Sequence, residues 1–146
     1  MELNIDKISG TGVIVIVNNN EMLLLKRGDR QGWCLPGGKV EEGEMAVKCA
    51  VRELFEESGI KASIDDLTYE CKILSSAKSH GKPMLIFSNI YSLPLAEKPE
   101  IKIPDGEITD YKWVKNLDDL TDNNEPMTIF PPTLSALNVV FHKILK

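Results

Sequence analysis

Residues 38–60 read Gly38-Lys39-Val40-Glu41-Glu42-Gly43-Glu44-Met45-Ala46-Val47-Lys48-Cys49-Ala50-Val51-Arg52-Glu53-Leu54-Phe55-Glu56-Glu57-Ser58-Gly59-Ile60, and their spacing decides the fold. Val47, Ala50, Val51, Leu54 and Phe55 recur at helical intervals, which predicts an amphipathic helix over residues 44–58. Gly59 stands where a helix needs a residue that accepts the left-handed conformation. Glu41, Glu42 and Glu44 gather at the N-terminal end, where the helix dipole favours negative charge. Glu53, Glu56 and Glu57 fall at i, i+3 and i+4, so their carboxylates share one arc beside the apolar stripe. Like charges at that spacing repel, and a fold that keeps them together calls for a compensating cation. A solvated acidic face has the same spacing. The context argues for chemistry: a Gly37-Gly38 pair one helix length ahead, Arg52 in the middle and Gly59 at the end. Hard oxygen donors without His suit Mg²⁺, with Mn²⁺ as a substitute, and disfavour zinc.

Working outward, Pro36-Gly37-Gly38 predicts a sharp turn that stops regular structure. A carbonyl of Gly37 or Gly38 at that turn becomes a further metal ligand. The run Gly-Val-Ile-Val-Ile-Val over residues 12–17 and the run Met-Leu-Leu-Leu over 22–25 flank Asn18-Asn19-Asn20, which predicts a β-hairpin. On the other side of the helix, residues 67–76 and 84–93 predict a second hairpin with a loop over 77–83. Residues 94–106, punctuated by proline, read as an exposed connection. Residues 111–114 read as a short strand, and Pro131-Pro132 opens a final helix carrying Leu134, Leu137, Phe141, Ile144 and Leu145. Two helices that each need an apolar surface, and strands to supply it, predict an α/β protein, an α/β/α sandwich around a mixed β-sheet, as one domain over residues 1–146.

Composition sets the limits. The chain has 146 residues, of which 42% are hydrophobic and 27% charged, the make-up of a folded globular protein. A formal net charge of −5 argues against a nucleic-acid polymer as partner, because backbone phosphates demand an excess of Lys and Arg. Residues 1–10 include Glu2, Asp6 and Lys7 and hold no apolar stretch of a secretory signal, and no run has the length of a membrane span. Three cysteines, Cys34, Cys49 and Cys71, without C-x-x-C spacing read as reduced packing residues of a cytoplasmic protein.

With those residues in view, Gly38, Glu44 and the block Arg52-Glu53-Leu54-Phe55-Glu56-Glu57-Ser58-Gly59-Ile60 together resemble a complete Nudix box of the MutT-like pyrophosphohydrolases. The resemblance implies a Nudix-type α/β/α sandwich and Mg²⁺-dependent hydrolysis of a phosphoanhydride in a nucleoside diphosphate linked to a group X. Its first implied substrate is a nucleoside triphosphate, normal or oxidised, giving the monophosphate and pyrophosphate. An ADP-ribose or dinucleoside polyphosphate pyrophosphatase is the alternative within the enzymes, and a non-catalytic nucleotide-sensing module the alternative of another class. The implied metal ligands are Gly37, Gly38, Glu53, Glu56, Glu57 and the later Glu107. Glu53, Glu57 and Arg52 are the catalytic set, with Arg52 orienting a neighbouring carboxylate; the sequence does not divide ligand from base between Glu53 and Glu57. For the small-molecule nucleotide, Arg27 and Lys39 are candidates to meet phosphates, and Trp33 and Phe130 to stack on the base. Asn124, in Asn124-Glu125-Pro126, resembles a base-contacting asparagine of mutator-type members. His80 and His142 receive no role.

Overall fold

The computed structural model describes residues 8–79, 81–104, 106–122 and 125–145. Strands β1 (Ile8–Asn18) and β2 (Glu21–Arg27) form the expected first hairpin, with Asn19 and Asn20 both at positive φ in the turn between them, a conformation that asparagine tolerates. The second hairpin joins β5 (Thr68–Ser79) and β6 (Lys82–Pro94). Its strands run further than the sequence suggests, into the stretch read as the loop 77–83, because the antiparallel register persists to Ser79 opposite Lys82. His80, at that tip, lies outside the described residues.

Strand β6 lies parallel to β1 over ten consecutive positions, while β7 (Ile108–Val114) pairs antiparallel with β2. Short strands β3 (Trp33–Cys34) and β4 (Gly37–Lys39) pair with β2 and β1. The result is a seven-stranded mixed sheet. Gly37 and Gly38 therefore do not end regular structure, as the sequence suggested; they sit opposite Val13 and Gly12 as a short strand against β1.

Helix α1 (Ala46–Ser58) covers one face of the sheet and helix α2 (Pro131–Val139), continued by a π-turn over Val140–Ile144, covers the other. Ile14, Ile16, Leu23 and Leu25 pack toward α1 with Ala50 and Leu54. Val15, Met22 and Leu24 pack toward α2 with Ala136, Leu137 and Val140. Strands covered on both faces carry apolar side chains at every position, which is why the runs in β1 and β2 do not alternate. The architecture is the α/β/α sandwich expected from the sequence. Two small strands, β8 (Thr121–Asp122) and β9 (Glu125–Pro126), form a separate ribbon.

Helix α1 departs from its sequence reading in two respects. It begins at Ala46, so Glu41, Glu42 and Glu44 precede it and no acidic residue occupies its first turn. Its buried residues are Cys49, Ala50, Leu54, Glu57 and Ser58, whereas Phe55 is 49% exposed with Lys61 over its ring. The buried stripe is thus rotated from the expected one, and it carries Glu57 inward. Gly59, at φ 77°, caps the helix as expected and donates its N–H to the Phe55 carbonyl. The connection over 94–106 is not wholly exposed either: Ile101 and Ile103 pack against the α1-side core, and the Lys102 N–H donates to the Ser58 carbonyl. Among the described residues, no helix is long and apolar enough to cross a membrane.

Candidate active site

The site forms where the end of β1, strand β4 and the C-terminal half of α1 converge. A Cβ at position 38 would meet the Glu53 carboxylate, the flexible end of a side chain that would have to shift aside; glycine leaves that carboxylate its place against the strand. The Gly37 N–H donates to Glu57 Oε1 at 2.8 Å, and the Cys49 thiol donates to the Gly38 carbonyl at 3.3 Å. Glu53 and Glu57 are therefore held against the glycine strand rather than extended into solvent.

Arg52 organises the carboxylates around it. Its Nε and Nη2 donate to the two oxygens of Glu44 at 2.7 and 3.0 Å, a bidentate pair of the kind that fixes orientation. Its Nη1 donates to Glu53 Oε1 at 3.0 Å and to Glu56 Oε2 at 3.2 Å. The guanidinium beside Glu44 lowers that carboxyl to about 2. Arg52 is held charged more firmly still, chiefly by its hydrogen bond to Glu44.

Glu57 lies in the opposite electrostatic situation. Burial, with a side chain only 6% exposed, pushes its carboxyl up to about 8, and the negative charges of Glu53 and Glu107 add to the shift. The Gly37 N–H opposes it. Glu53 is raised as well, by burial first, while Arg52 pulls it back and Glu56 and Glu107 push it up. Glu107 is held nearby because its carbonyl accepts the Gly28 N–H at 2.7 Å. Glu56, Glu57 and Glu107 border a second hollow with Pro104 and Ile108.

As the side chains stand, no three His, Cys, Asp or Glu groups among the described residues are gathered closely enough to hold an ion. The donor set nevertheless fits a hard divalent cation: all its donors are oxygens. Two of its members, Glu53 and Glu57, are raised chiefly by burial, with the neighbouring carboxylates adding to the shift.

A cavity of about 250 Å³ opens beside this cluster, on the α2 side of the sheet, and reaches Gly37, Gly38 and Lys39 at one end. Arg27 and Phe130 stand at its wall, with the guanidinium 4.0 Å from the ring centroid. Asp29 fixes that guanidinium, accepting from Nη2 at 2.7 Å. Arg27, Lys39 and Phe130 are thus brought together at the cavity. Trp33 is not: it is 4% exposed, within the α2-side core, and Lys26 covers its ring, so packing takes the surface suggested for a base. Asn124 lies outside the described residues. Sequence reasoning missed Thr11, Ser88 and Thr133, which line the cavity; the only signal is that Ser88 and Thr133 interrupt an apolar and a proline-rich run with a hydroxyl, while Thr11 sits between two glycines.

Comparison with known proteins identifies relatives of the chain and of its fold. The NUDIX domain family model matches residues 7–133. A protein of Bacillus subtilis (strain 168), provisionally named an 8-oxo-dGTP diphosphatase, is 47% identical over 81 residues. That match spans 56% of this chain and 52% of the relative, about half of its length. An RNA pyrophosphohydrolase of Pelagibacter ubique (strain HTCC1062) is 29% identical over 136 residues, 83% of this chain and 84% of the relative. Among solved structures, the NUDIX domain of Shewanella oneidensis NrtR complexed with ADP ribose superposes with a TM-score of 0.73 at 17% identity, over 94% of this chain and 89% of that one. A family model that takes in residues 7–133, most of the chain, establishes the relationship: the chain belongs to the Nudix family.

Proposed function

We propose that this chain, acting as one domain in the cytoplasm, hydrolyses a phosphoanhydride in a nucleoside diphosphate linked to X. Its substrate is a nucleoside triphosphate, normal or oxidised, and its products are the monophosphate and pyrophosphate. The observation that carries the reading is the pair of shielded carboxylates, Glu53 and Glu57, pressed against the Gly37-Gly38 strand at the end of a cavity of about 250 Å³. Glu53, Glu56, Glu57 and Glu107, with a carbonyl of Gly37 or Gly38, would hold Mg²⁺ or Mn²⁺. When bound, such an ion neutralises phosphate charge and makes water more acidic. Nudix enzymes generally need a divalent metal, which suits an all-oxygen donor set.

The chain's own groups do the rest. Arg27, with its ring partner Phe130 and its clamp Asp29, binds a phosphate at the cavity wall, and Lys39 binds another at the Gly38 end. Burial raises the carboxyls of Glu53 and Glu57; a bound cation would favour their ionised form, in which one of them can take the proton of the attacking water. Arg52 keeps Glu53 in position. The name of the Bacillus relative supports a nucleoside triphosphate ahead of ADP-ribose.

Incubation with Mg²⁺ and a panel of nucleoside triphosphates, ADP-ribose and dinucleoside polyphosphates, with product identification, tests this. Monophosphate and pyrophosphate from triphosphates, abolished by chelator, is the expected result. AMP and ribose phosphate from ADP-ribose alone would move the assignment to the other branch. Nucleotide binding without any turnover would replace it with a sensing role.

A further inference from the structure

The loop between β2 and β3 makes more bonds than an exposed turn needs, and they converge on Arg27. That side chain leaves β2 at a register shift between Lys26 and Arg27 and reaches the cavity wall. Its Nε donates to the two Asp29 oxygens at 3.1 and 3.2 Å, and its Nη2 donates to Asp29 Oδ2 at 2.7 Å. Asp29 is gripped in turn by Gln31, whose backbone N–H donates to Oδ1 at 3.1 Å and whose side-chain amide donates to Oδ2 at 2.8 Å. The Phe130 ring lies against the guanidinium, and the Cys34 thiol stands beside it.

The backbone is bent to make this possible. Arg30, between Asp29 and Gln31, has a φ of 67°, a left-handed conformation that is unfavourable for a residue other than glycine and persists only where its surroundings impose it. The Arg27 N–H donates to the Gly32 carbonyl at 2.9 Å and the Gly28 N–H to the Glu107 carbonyl at 2.7 Å, so the loop is closed at its base and tied to the segment that carries Glu107. Stability does not account for the arrangement: the Arg27 and Asp29 side chains are 29% and 43% exposed, and ion pairs in solvent contribute little to folding. What the loop does secure is a guanidinium held in one orientation. Asp29 occupies two of its five N–H groups, and the rest serve the Cys34 thiol and whatever enters the cavity.

We propose that Asp29 and Gln31 are positioning residues that fix Arg27 for a substrate phosphate before the substrate arrives. This rests on the hydrolase reading above, with Arg27 as a phosphate contact. An arginine left free loses side-chain entropy when it binds, and one already ordered does not. The lock therefore acts on affinity and leaves the glutamate cluster as it is. A carboxylate that merely competed for the guanidinium would have the opposite effect, because its removal would return two donors to the phosphate.

Steady-state kinetics with Mg²⁺ and the nucleotide cleaved fastest in the panel above separate the two. Asp29→Ala is expected to raise KM about 10-fold and Gln31→Ala about threefold, with kcat within about twofold of wild type. Asp29→Asn, which keeps one acceptor for Arg27, is expected to fall between wild type and Asp29→Ala. Should Asp29→Ala not fold, Asp29→Asn and Gln31→Ala decide. Calorimetric binding of inorganic tripolyphosphate in chelator reads the same lock without metal or turnover, and is expected to be about 10-fold weaker in Asp29→Ala. An unchanged or lowered KM in Asp29→Ala, or a loss confined to kcat, overturns the inference and leaves the hydrolase reading in place. If no nucleotide is cleaved, the hydrolase reading fails, and the tripolyphosphate titration still decides the positioning role: equal binding by wild type and Asp29→Ala, or binding by neither, overturns it.

Discussion

On the α1 face of the sheet, Gly38, Glu44, Arg52, Glu53, Glu56 and Glu57 all come from one stretch of 23 residues, and the contacts that fix them are short in sequence, such as Arg52 with Glu44 eight residues earlier. On the α2 face the cavity is closed by contacts between Thr11 and Ser88, 77 residues apart, and between Leu35 and Thr133, 98 apart. The carboxylate cluster is assembled locally and the cavity at long range. Changes on the α1 face should therefore slow every substrate alike, and changes on the α2 face should alter the ranking of substrates.

The largest effect expected is from Glu57→Gln. The amide can still accept from the Gly37 N–H, so the fold survives while the ionisable oxygen is lost. Turnover should fall about 10²- to 10⁴-fold for all nucleotides in steady-state assays; a loss confined to one base would break the division between the faces. Next comes Gly38→Ala, whose Cβ displaces the Glu53 carboxylate. Misplacing a reacting group by an ångström costs about 10²-fold, and the same uniform loss is expected. Arg52→Ala frees Glu44, Glu53 and Glu56 from their common partner. Removing an orienting group of this kind lowers metal affinity or activity about 10- to 100-fold, seen as a higher Mg²⁺ requirement.

Much of the α1 face was legible in the sequence, and the places where it was not have physical causes. Periodicity put Phe55 in the core, yet it is 49% exposed. The small side chains of Cys49, Ala50 and Ser58 turn the helix so that Glu57 goes inward instead. Glycine at 37 and 38 signals a turn or a close approach equally well, and here the strand pairing with β1 and the proximity of Glu53 make it the second. Trp33 carried a plausible stacking ring, but the core took it. On the α2 face, β6 and α2 were legible as elements while the Ser88 and Thr133 hydroxyls were not, because only tertiary closure brings them to one space.

Stability gives a finer comparison within α1 itself. Leu54→Ala, at a fully buried position against the sheet, should cost about 2–5 kcal/mol, whereas Phe55→Ala one residue on should cost under about 0.5 kcal/mol. Chemical denaturation measures both; equal costs would restore the helix orientation read from periodicity alone. A further expectation is a pH dependence of the metal-free protein. The Glu57 carboxyl sits at about 8 folded against 4.5 in its ordinary state. Its contribution to stability is fully present below 4.5 and is lost as pH rises through 8, at no more than about 1.4 kcal/mol per pH unit. Asp29 and Glu44, lowered to about 2 by Arg27 and Arg52, act in the other direction: their contribution is present above the usual carboxylate range and lost as pH falls through 2. Thermal melts in chelator between pH 5 and 9 should decline toward high pH in the wild type and lose that slope in Glu57→Gln.

The most direct test of the glutamate site is calorimetric titration of the metal-free protein with Mn²⁺ at pH 7 in buffers of different ionisation enthalpy. A carboxyl at about 8 is largely protonated there, so binding should expel close to one proton, and the double variant Glu53→Gln, Glu57→Gln should neither bind with comparable affinity nor release it. Equal Mn²⁺ affinity in wild type and double variant, with no proton released by either, would contradict the assignment of these carboxylates to the cation.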